Sequence, residues 1–469
     1  MQKPLSSRSI AFVVAGAAFL VPSRSDAAPF VEPDVQVLYT THAENPGDNY
    51  GWAAERIGDL DGDGAAEFLV SAPNFGGFAG KVYVHSGATG AVLATFTGPA
   101  PNSRLGQGVA GGGDFDADGT PDYVIGMPPF RFTGRAGEVW LVSGATHQIL
   151  RKIVGQPRDI LGFDVNVAGD VNGDGYDDVI AGAPTTNTTQ PLAGRVYLFS
   201  GRDGSVLWTF DGQRNTGLLG TAVTGLRDVN GDGVPDQAVG AQNEVRVIGR
   251  GQIRGGTGYV LDGRTGTVLF QLKPSGTASF FGTFFIHDAG DVNADGVGDV
   301  FAGDVGDVRQ AGAGRAYVWS GATGERLRTI NGDDPGEGLG IGRGAGDVDG
   351  DGHDDLLLGA WLNSTAAAQA GQCLLVSGRN GRTLRTFTAT TPGAQVGFDT
   401  VPLGDVTGDG LADYLLTGAG LAYVVAGTPL APSSAPLESV TAEETVDSHP
   451  VHLDRIGGDL DKLGDRRLR

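Results

Sequence analysis

The chain has 469 residues, of which 80 are glycine, and it carries a formal net charge of −22. Glycine without a strict third-residue period excludes collagen, and 40% hydrophobic with 19% charged residues excludes a disordered acidic chain. The acidic excess argues against a nucleic-acid partner, and the one cysteine excludes an internal disulfide or a Cys-rich zinc site.

Residues 1–27 have the pattern of a secretory signal peptide. Lys3 and Arg8 form a positive start, and the apolar run over 10–21 is shorter than the roughly 20 residues of a membrane-spanning helix. Small residues near Ala27 predict cleavage after it, which we favour over a membrane anchor. We therefore expect a protein that is secreted, or held at the cell surface or in the periplasm, with no transmembrane segment after cleavage.

An Asp-rich loop then occurs seven times, at steps of 55 to 63 residues. A hydrophobic residue and glycine precede each loop, and a short apolar run that ends near Gly-Ala-Pro follows it in several units. In unit three, the next segments are GRVYLFSG from Gly194 and VLWTF over 206–210. Short runs rich in Val, Tyr, Phe and Thr between glycines predict four strands per unit and almost no helix.

Seven units of four strands predict an all-β fold, a seven-bladed β-propeller over residues 28–427 with a calcium loop in each blade. Unit seven has three strands and no fourth. Residues 35–41, VQVLYTT, stand where the last strand of an earlier unit would be. We therefore predict that Val35–Thr41 completes blade seven and closes the ring, which leaves no open sheet edge.

Each loop alternates oxygen-bearing side chains at positions one, three and five, with glycine at six and an acid at nine. Carboxylate oxygens and a backbone carbonyl at position seven suit Ca²⁺, and up to seven ions are expected. Position twelve is apolar in all seven loops, which excludes the EF-hand and dockerin patterns. The predicted ligands, in chain order, are Asp59, Asp61, Asp63, Ala65, Glu67, Asp114, Asp116, Asp118, Thr120, Asp122, Asp170, Asn172, Asp174, Tyr176, Asp178, Asp228, Asn230, Asp232, Val234, Asp236, Asp291, Asn293, Asp295, Val297, Asp299, Asp347, Asp349, Asp351, His353, Asp355, Asp405, Thr407, Asp409, Leu411 and Asp413.

The loops differ at position three. Loops one, two and six have an acid there, loops three, four and five have Asn, and loop seven has Thr407. A hydroxyl is the poorest of these ligands, so we predict that loop seven binds most weakly. The chain after residue 27 holds 54 acidic and 30 basic residues, and 24 of the acids occupy loop positions one, three, five and nine. The acidity of this chain therefore lies in its predicted metal sites.

The unit resembles the FG-GAP repeat of the integrin α-subunit propeller, as found in secreted bacterial FG-GAP proteins. The resemblance covers about residues 35–427 and rests on the Phe/Leu-Gly pair, the Asp loop, Gly-Ala-Pro and the Val-Tyr strand, in that order. It implies calcium loops between the first and second strands of each blade, on the lower face, and a ligand on the upper face. The leg domains and membrane span of an integrin have no counterpart in this sequence, so the resemblance does not extend to a signalling role.

The loops after Gly-Ala-Pro differ between units and carry aromatic and Arg residues, which are enriched in binding hot spots. The candidate ligand-binding residues are Arg246, Arg250, Arg254, Phe130, Phe132 and Trp361. The alternative is that these rings pack under their own loops and the arginines are solvated. We expect a monomeric calcium-binding module for adhesion or ligand binding. Its ligand would be an extracellular protein or an anionic glycan, and its calcium would have a structural role.

The alternative function is a calcium-dependent hydrolase or lyase of extracellular polysaccharide. No residues are assigned as catalytic, since the sequence lacks a Gly-x-Ser-x-Gly elbow and its seven histidines are scattered. His287-Asp288 is interpreted as structural, and Cys373 as a small core residue. Residues 428–469 are predicted to form a Pro/Ser linker and a disordered tail.

Overall fold

The computed structural model describes residues 28–248, 251–275, 280–283, 285–306 and 312–432. For residues 245–248 and 251–254 and for Phe132, only the backbone is described. The predicted signal peptide over 1–27, the tail from 433 onwards and Arg250 lie outside the described residues.

The described strands form seven four-stranded antiparallel sheets and one added hairpin. Up to blade three, they are β1 (Val37–His42), β2 (Ala54–Gly58), β3 (Glu67–Ala72), β4 (Lys81–His85), β5 (Val92–Thr97), β6 (Val109–Gly113), β7 (Asp122–Met127), β8 (Ala136–Val142), β9 (Ile149–Pro157), β10 (Val165–Gly169), β11 (Asp178–Ala183), β12 (Arg195–Phe199) and β13 (Val206–Asp211). From blade four onwards, they are β14 (Leu219–Gly225), β15 (Gln237–Ala241), β16 (Val245–Ile248), β17 (Gly251–Arg254), β18 (Thr257–Leu261), β19 (Val268–Leu272), β20 (Ile286–Gly290), β21 (Asp299–Asp304), β22 (Arg315–Trp319), β23 (Arg326–Asn331), β24 (Leu339–Gly346), β25 (Asp355–Ala360), β26 (Gln372–Val376), β27 (Thr383–Thr388), β28 (Asp399–Gly404), β29 (Asp413–Gly418) and β30 (Leu421–Val425).

The sheets are the predicted blades. Blade one is β2–β5, and each following set of four strands makes the next blade, with the hairpin β16–β17 inserted in blade four. The first strand of each blade contacts the first strands of both neighbouring blades, so these seven strands form the inner ring. Helix is limited to the turn α1 (Phe75–Phe78) and a 3₁₀ turn at Arg131–Thr133 in the described residues. The prediction of a seven-bladed, nearly all-β propeller is confirmed.

Closure of the ring uses the first described strand. β1 pairs antiparallel with β30, from Val37 opposite Val425 to His42 opposite Leu421. The strand is thus two residues shorter at its start than the predicted 35–41 and one residue longer at its end. Phe30, just before β1, also packs its ring 5.2 Å from that of Tyr423. The N-terminal segment therefore closes the ring, as predicted.

The glycines of the repeated motifs lie where neighbouring blades meet. Gly106 has φ +83°, and a Cβ there would lie 2.6 Å from Cγ2 of Val82 in the preceding blade. At Gly126, in the second strand of blade two, a Cβ would lie 2.2 Å from the carbonyl oxygen of Gly162 in blade three. Because only glycine fits at both points, the Leu-Gly pair and the Gly-Ala-Pro run are contact motifs between blades.

Candidate metal centres

Every Asp loop joins the first strand of a blade to the second. Loop one follows β2 at Asp59, and its position nine, Glu67, is the first residue of β3. Antiparallel order places these loops, together with the turns between third and fourth strands, on one face of the ring, which we call the lower face. The opposite upper face carries the loops between second and third strands and the connections between blades.

Glycine at position six allows the sharp reversal of each loop. In all seven loops its φ lies between +83° and +94°, where a side chain would be strained. In loop one, the carboxylate of Asp59 accepts the N–H of Gly62 at 2.7 Å and of Gly64 at 3.0 Å. Position one therefore holds the loop in its turn and brings its carboxylate oxygens to the centre.

Three loops gather carboxylates closely enough to share one cation. In each, three acidic side chains offer oxygens within 4.8 Å of one another, and these sets are Asp59, Asp61 and Glu67 in loop one, Asp114, Asp116 and Asp122 in loop two, and Asp347, Asp349 and Asp351 in loop six. They are the three loops with an acid at position three. Hard oxygen ligands at this spacing fit Ca²⁺.

The acid at position nine is fully buried in all seven blades. In loop two, Oδ2 of Asp122 accepts the N–H of Phe115 at 2.7 Å, and Oδ1 accepts the N–H of Gly144 at 2.8 Å. Gly144 belongs to the turn between the third and fourth strands, so this carboxylate also ties two loops of the lower face together. Six further position-nine acids accept from the equivalent turn glycine: Glu67 from Gly87, Asp178 from Gly201, Asp236 from Gly263, Asp299 from Gly321, Asp355 from Gly378 and Asp413 from Gly427.

Burial disfavours the ionised form of these carboxyl groups. It raises the pKa of Asp122, Asp178, Asp299 and Asp355 to about 7. A divalent cation in the loop favours the ionised carboxylate. The donor set thus fits calcium, which would be held by side chains at positions one, three, five and nine and by the carbonyl at seven, and would supply positive charge that rigidifies the loop.

Phe130 and Trp361, two of the predicted upper-face aromatics, pack against other blades, which the sequence did not indicate. Phe130 lies 5.5 Å from the ring of Phe78 in blade one, and the guanidinium of Arg104 lies 4.8 Å from its centroid. Trp361 lies 5.3 Å from Phe398, which in turn lies 5.4 Å from Trp52. Phe398 and Trp52 follow the glycines of the pairs Val396-Gly397 and Tyr50-Gly51, and neither was among the predicted residues.

The predicted basic loop of blade four is a β-hairpin. Its backbone pairing sets Arg246 opposite Ile253 and Arg254 opposite Val245. The structure therefore brings Arg246 and Arg254 onto adjoining strands, while Arg250 lies outside the described residues. For Arg246 and Arg254, only the backbone is described.

Charged side chains also meet on the inner ring. Arg343 on β24 contacts Glu55 on β2 at 2.5 Å and Asp399 on β28 at 3.0 Å, which links blades six, one and seven. Oδ2 of Asp399 accepts the N–H of Ala54 at 2.9 Å, and Asp164 likewise accepts the N–H of Val223 at 2.8 Å in the next blade. These contacts tie inner strands of different blades together, and those of Arg343 span the three blades at the closure of the ring, so they have a structural role.

The two groups interpreted as structural are buried or electrostatically constrained. His287 belongs to the inner strand β20, where burial and Arg343 hold its pKa well below the usual range, so the ring is neutral. Cys373 is fully buried in β26. In the described ranges, no helix has both the length and the apolar character needed to cross a membrane.

Comparison with known proteins finds a family match in two of the units. The FG-GAP repeat family matches residues 51–85 and 164–199, in units one and three. Integrin alpha-5 of Xenopus laevis is 28% identical over 214 residues, integrin alpha-IIb of Homo sapiens is 36% identical over 203, and integrin alpha-PS2 of Drosophila melanogaster is 36% identical over 140. These segments cover 41%, 40% and 28% of this chain, but only 20%, 19% and 10% of the three relatives.

Proposed function

Because this chain is an integrin-like FG-GAP β-propeller, we propose that it is an extracellular ligand-binding or adhesion module whose lower loops bind calcium. The observation that carries the proposal is the division between its two faces. Seven acidic loops of one pattern occupy one face, and loops that differ between blades, some of them with exposed or half-buried aromatics, occupy the other. Calcium then has a structural role, and recognition belongs to the upper face.

The upper face supports an extracellular protein or an anionic glycan as the ligand. Phe78 is 41% exposed beside Phe130, and Trp52, Phe398 and Trp361 form a half-buried aromatic row. The blade-four hairpin adds Arg246, Arg250 and Arg254 in its sequence. Aromatic rings with arginine supply the contact area and charge that protein and sulfated or carboxylated glycan ligands require.

The test uses the purified chain from residue 28 on a glycan array and an array of extracellular matrix proteins, with and without calcium. We expect binding that the triple change of Arg246, Arg250 and Arg254 to Ala weakens at least tenfold. The matched control changes Arg202, Arg264 and Arg379 to Ala, which removes the same charge from the third-to-fourth-strand turns of the lower face. Equal binding by both triple variants would contradict a basic recognition loop.

A calcium-dependent polysaccharide hydrolase or lyase remains the second candidate because carboxyl groups line the inner ring. Burial raises the pKa of Asp164 to about 7, a value suited to general acid–base chemistry. The test is release of reducing ends or of unsaturated sugars from anionic polysaccharides by the purified chain. Activity that Asp164→Asn abolishes would favour the enzyme, and activity that survives this change would remove Asp164 from any catalytic role.

A further inference from the structure

Position eight of the Asp loop, which is not a predicted ligand, separates two loops from the other five. Loops three and six carry Asp177 and Asp354 there, whereas the remaining loops carry Ala, Pro or Gly. Each of these aspartates lies between two predicted ligands of its own loop. Asp177, for example, lies between the carbonyl of Tyr176 and the carboxylate of Asp178.

Asp177 reaches out of its own loop to the loop of blade two. Its N–H donates to the carbonyl of Asp114 at 3.0 Å, and its Oδ2 accepts the N–H of Asp114 at 2.9 Å. Asp114 is position one of loop two, and its carboxylate is among those that converge on the cation site. Two hydrogen bonds from loop three therefore hold the backbone that carries a ligand of loop two.

Asp354 makes the same contact between blades six and five. Its N–H donates to the carbonyl of Asp291 at 3.0 Å, and its Oδ2 accepts the N–H of Asp291 at 2.7 Å. His353 adds a hydrogen bond from Nδ1 to the carbonyl of Val292 at 2.9 Å. At the joint between blades one and two, the ring of Pro121 instead packs on Gly58, and this side chain offers no polar group.

We propose that loops two and three, and loops five and six, bind calcium as coupled pairs, with Asp177 and Asp354 as the positioning residues. This inference rests on the proposed calcium binding. A cation in loop three fixes Tyr176 and Asp178 on either side of Asp177, and Asp177 then fixes the backbone of Asp114. Because coupling between sites is reciprocal, filling either loop of a pair strengthens binding at the other.

The test follows each loop separately by hydrogen–deuterium exchange and mass spectrometry during a calcium titration of the folded chain. Loop three is inactivated by Asp170→Asn with Asp174→Asn. We expect the calcium midpoint for protection of loop two to rise about fivefold, while that of loop seven stays unchanged. In an Asp177→Ala background, the same inactivation should no longer move the midpoint of loop two.

Pro235→Ala, at position eight of loop four, is the matched control and should leave the coupling between loops two and three intact. Asp177→Asn keeps the size of the side chain and an acceptor oxygen, so it serves if the alanine variant does not fold and should retain the shift. The coupling would be overturned if inactivation of loop three left the calcium midpoint of loop two unchanged. It would also be overturned if that midpoint still rose fivefold in the Asp177→Ala background. Absence of calcium-dependent protection in every loop would overturn the calcium proposal itself.

Discussion

The lower face of this ring repeats one loop seven times, whereas the upper face carries a different loop in each blade. On the lower face, the same bonds recur in every blade, from position nine to its turn glycine. On the upper face, the contacts are individual, such as Phe130 with Phe78 or Trp361 with Phe398. A face built by repetition serves a shared requirement, here the proposed binding of calcium, and a face built by variation leaves room for a particular ligand.

Removal of calcium should have the largest effect on the difference between the two faces, because it acts on all seven lower loops at once. Each site that is filled at a hundredfold excess over its Kd stabilises the folded chain by about 2.7 kcal/mol. We expect a chelator to lower Tm by tens of degrees, and calcium but not magnesium to restore it. Differential scanning calorimetry measures both, and an unchanged Tm would argue that the loops need no cation for stability.

A single substitution on each face provides a sharper contrast. Asp122→Ala removes the acceptor of two buried N–H groups as well as a ligand, and we expect it to lower the free energy of unfolding by about 3 kcal/mol. Phe130→Ala on the upper face should cost about 1 kcal/mol. Denaturant unfolding in saturating calcium compares the two, and equal losses would mean that position nine has no special structural role.

A substitution in the inner ring should affect neither the loops of the lower face nor those of the upper face. Arg343→Met leaves the carboxylates of Glu55 and Asp399 without the guanidinium that donates to both, and we expect a loss of about 2 kcal/mol in the free energy of unfolding. Calcium midpoints of the loops should not move. If they do, the contacts of Arg343 with Glu55 and Asp399 are linked to the metal sites rather than to closure of the ring alone.

The smallest expected effect concerns the differences among the lower loops. Thr407→Asp gives loop seven the acid that loops one, two and six have at position three. We expect one site to tighten about threefold, seen as a lower calcium midpoint for loop seven in the exchange experiment. The conservative change Thr407→Ser is the control, and an unchanged profile for Thr407→Asp would contradict the prediction that loop seven is the weakest site.

Much of the fold could be predicted because the repeat is local. The loop spacing, the glycines and the strand left over before unit one indicated seven blades and their closure by the N-terminal strand, and β1 confirms it. The candidate site residues were predicted in the same way, since the alternating acids and the glycine of each loop lie within nine consecutive residues. The upper-face assignments could only be guesses, because the contacts of Phe130 and Trp361 lie in other blades.

The sequence by itself determined the number of blades and the place of each Asp loop. Only the tertiary structure decided which groups meet between blades: Asp177 with Asp114, Arg343 with Glu55 and Asp399, and Trp52 with Phe398. The physical reason is separation along the chain. A turn is set by neighbouring residues, whereas these contacts join segments from 56 to 346 residues apart, which the packing of neighbouring blades and the closure of the ring bring together.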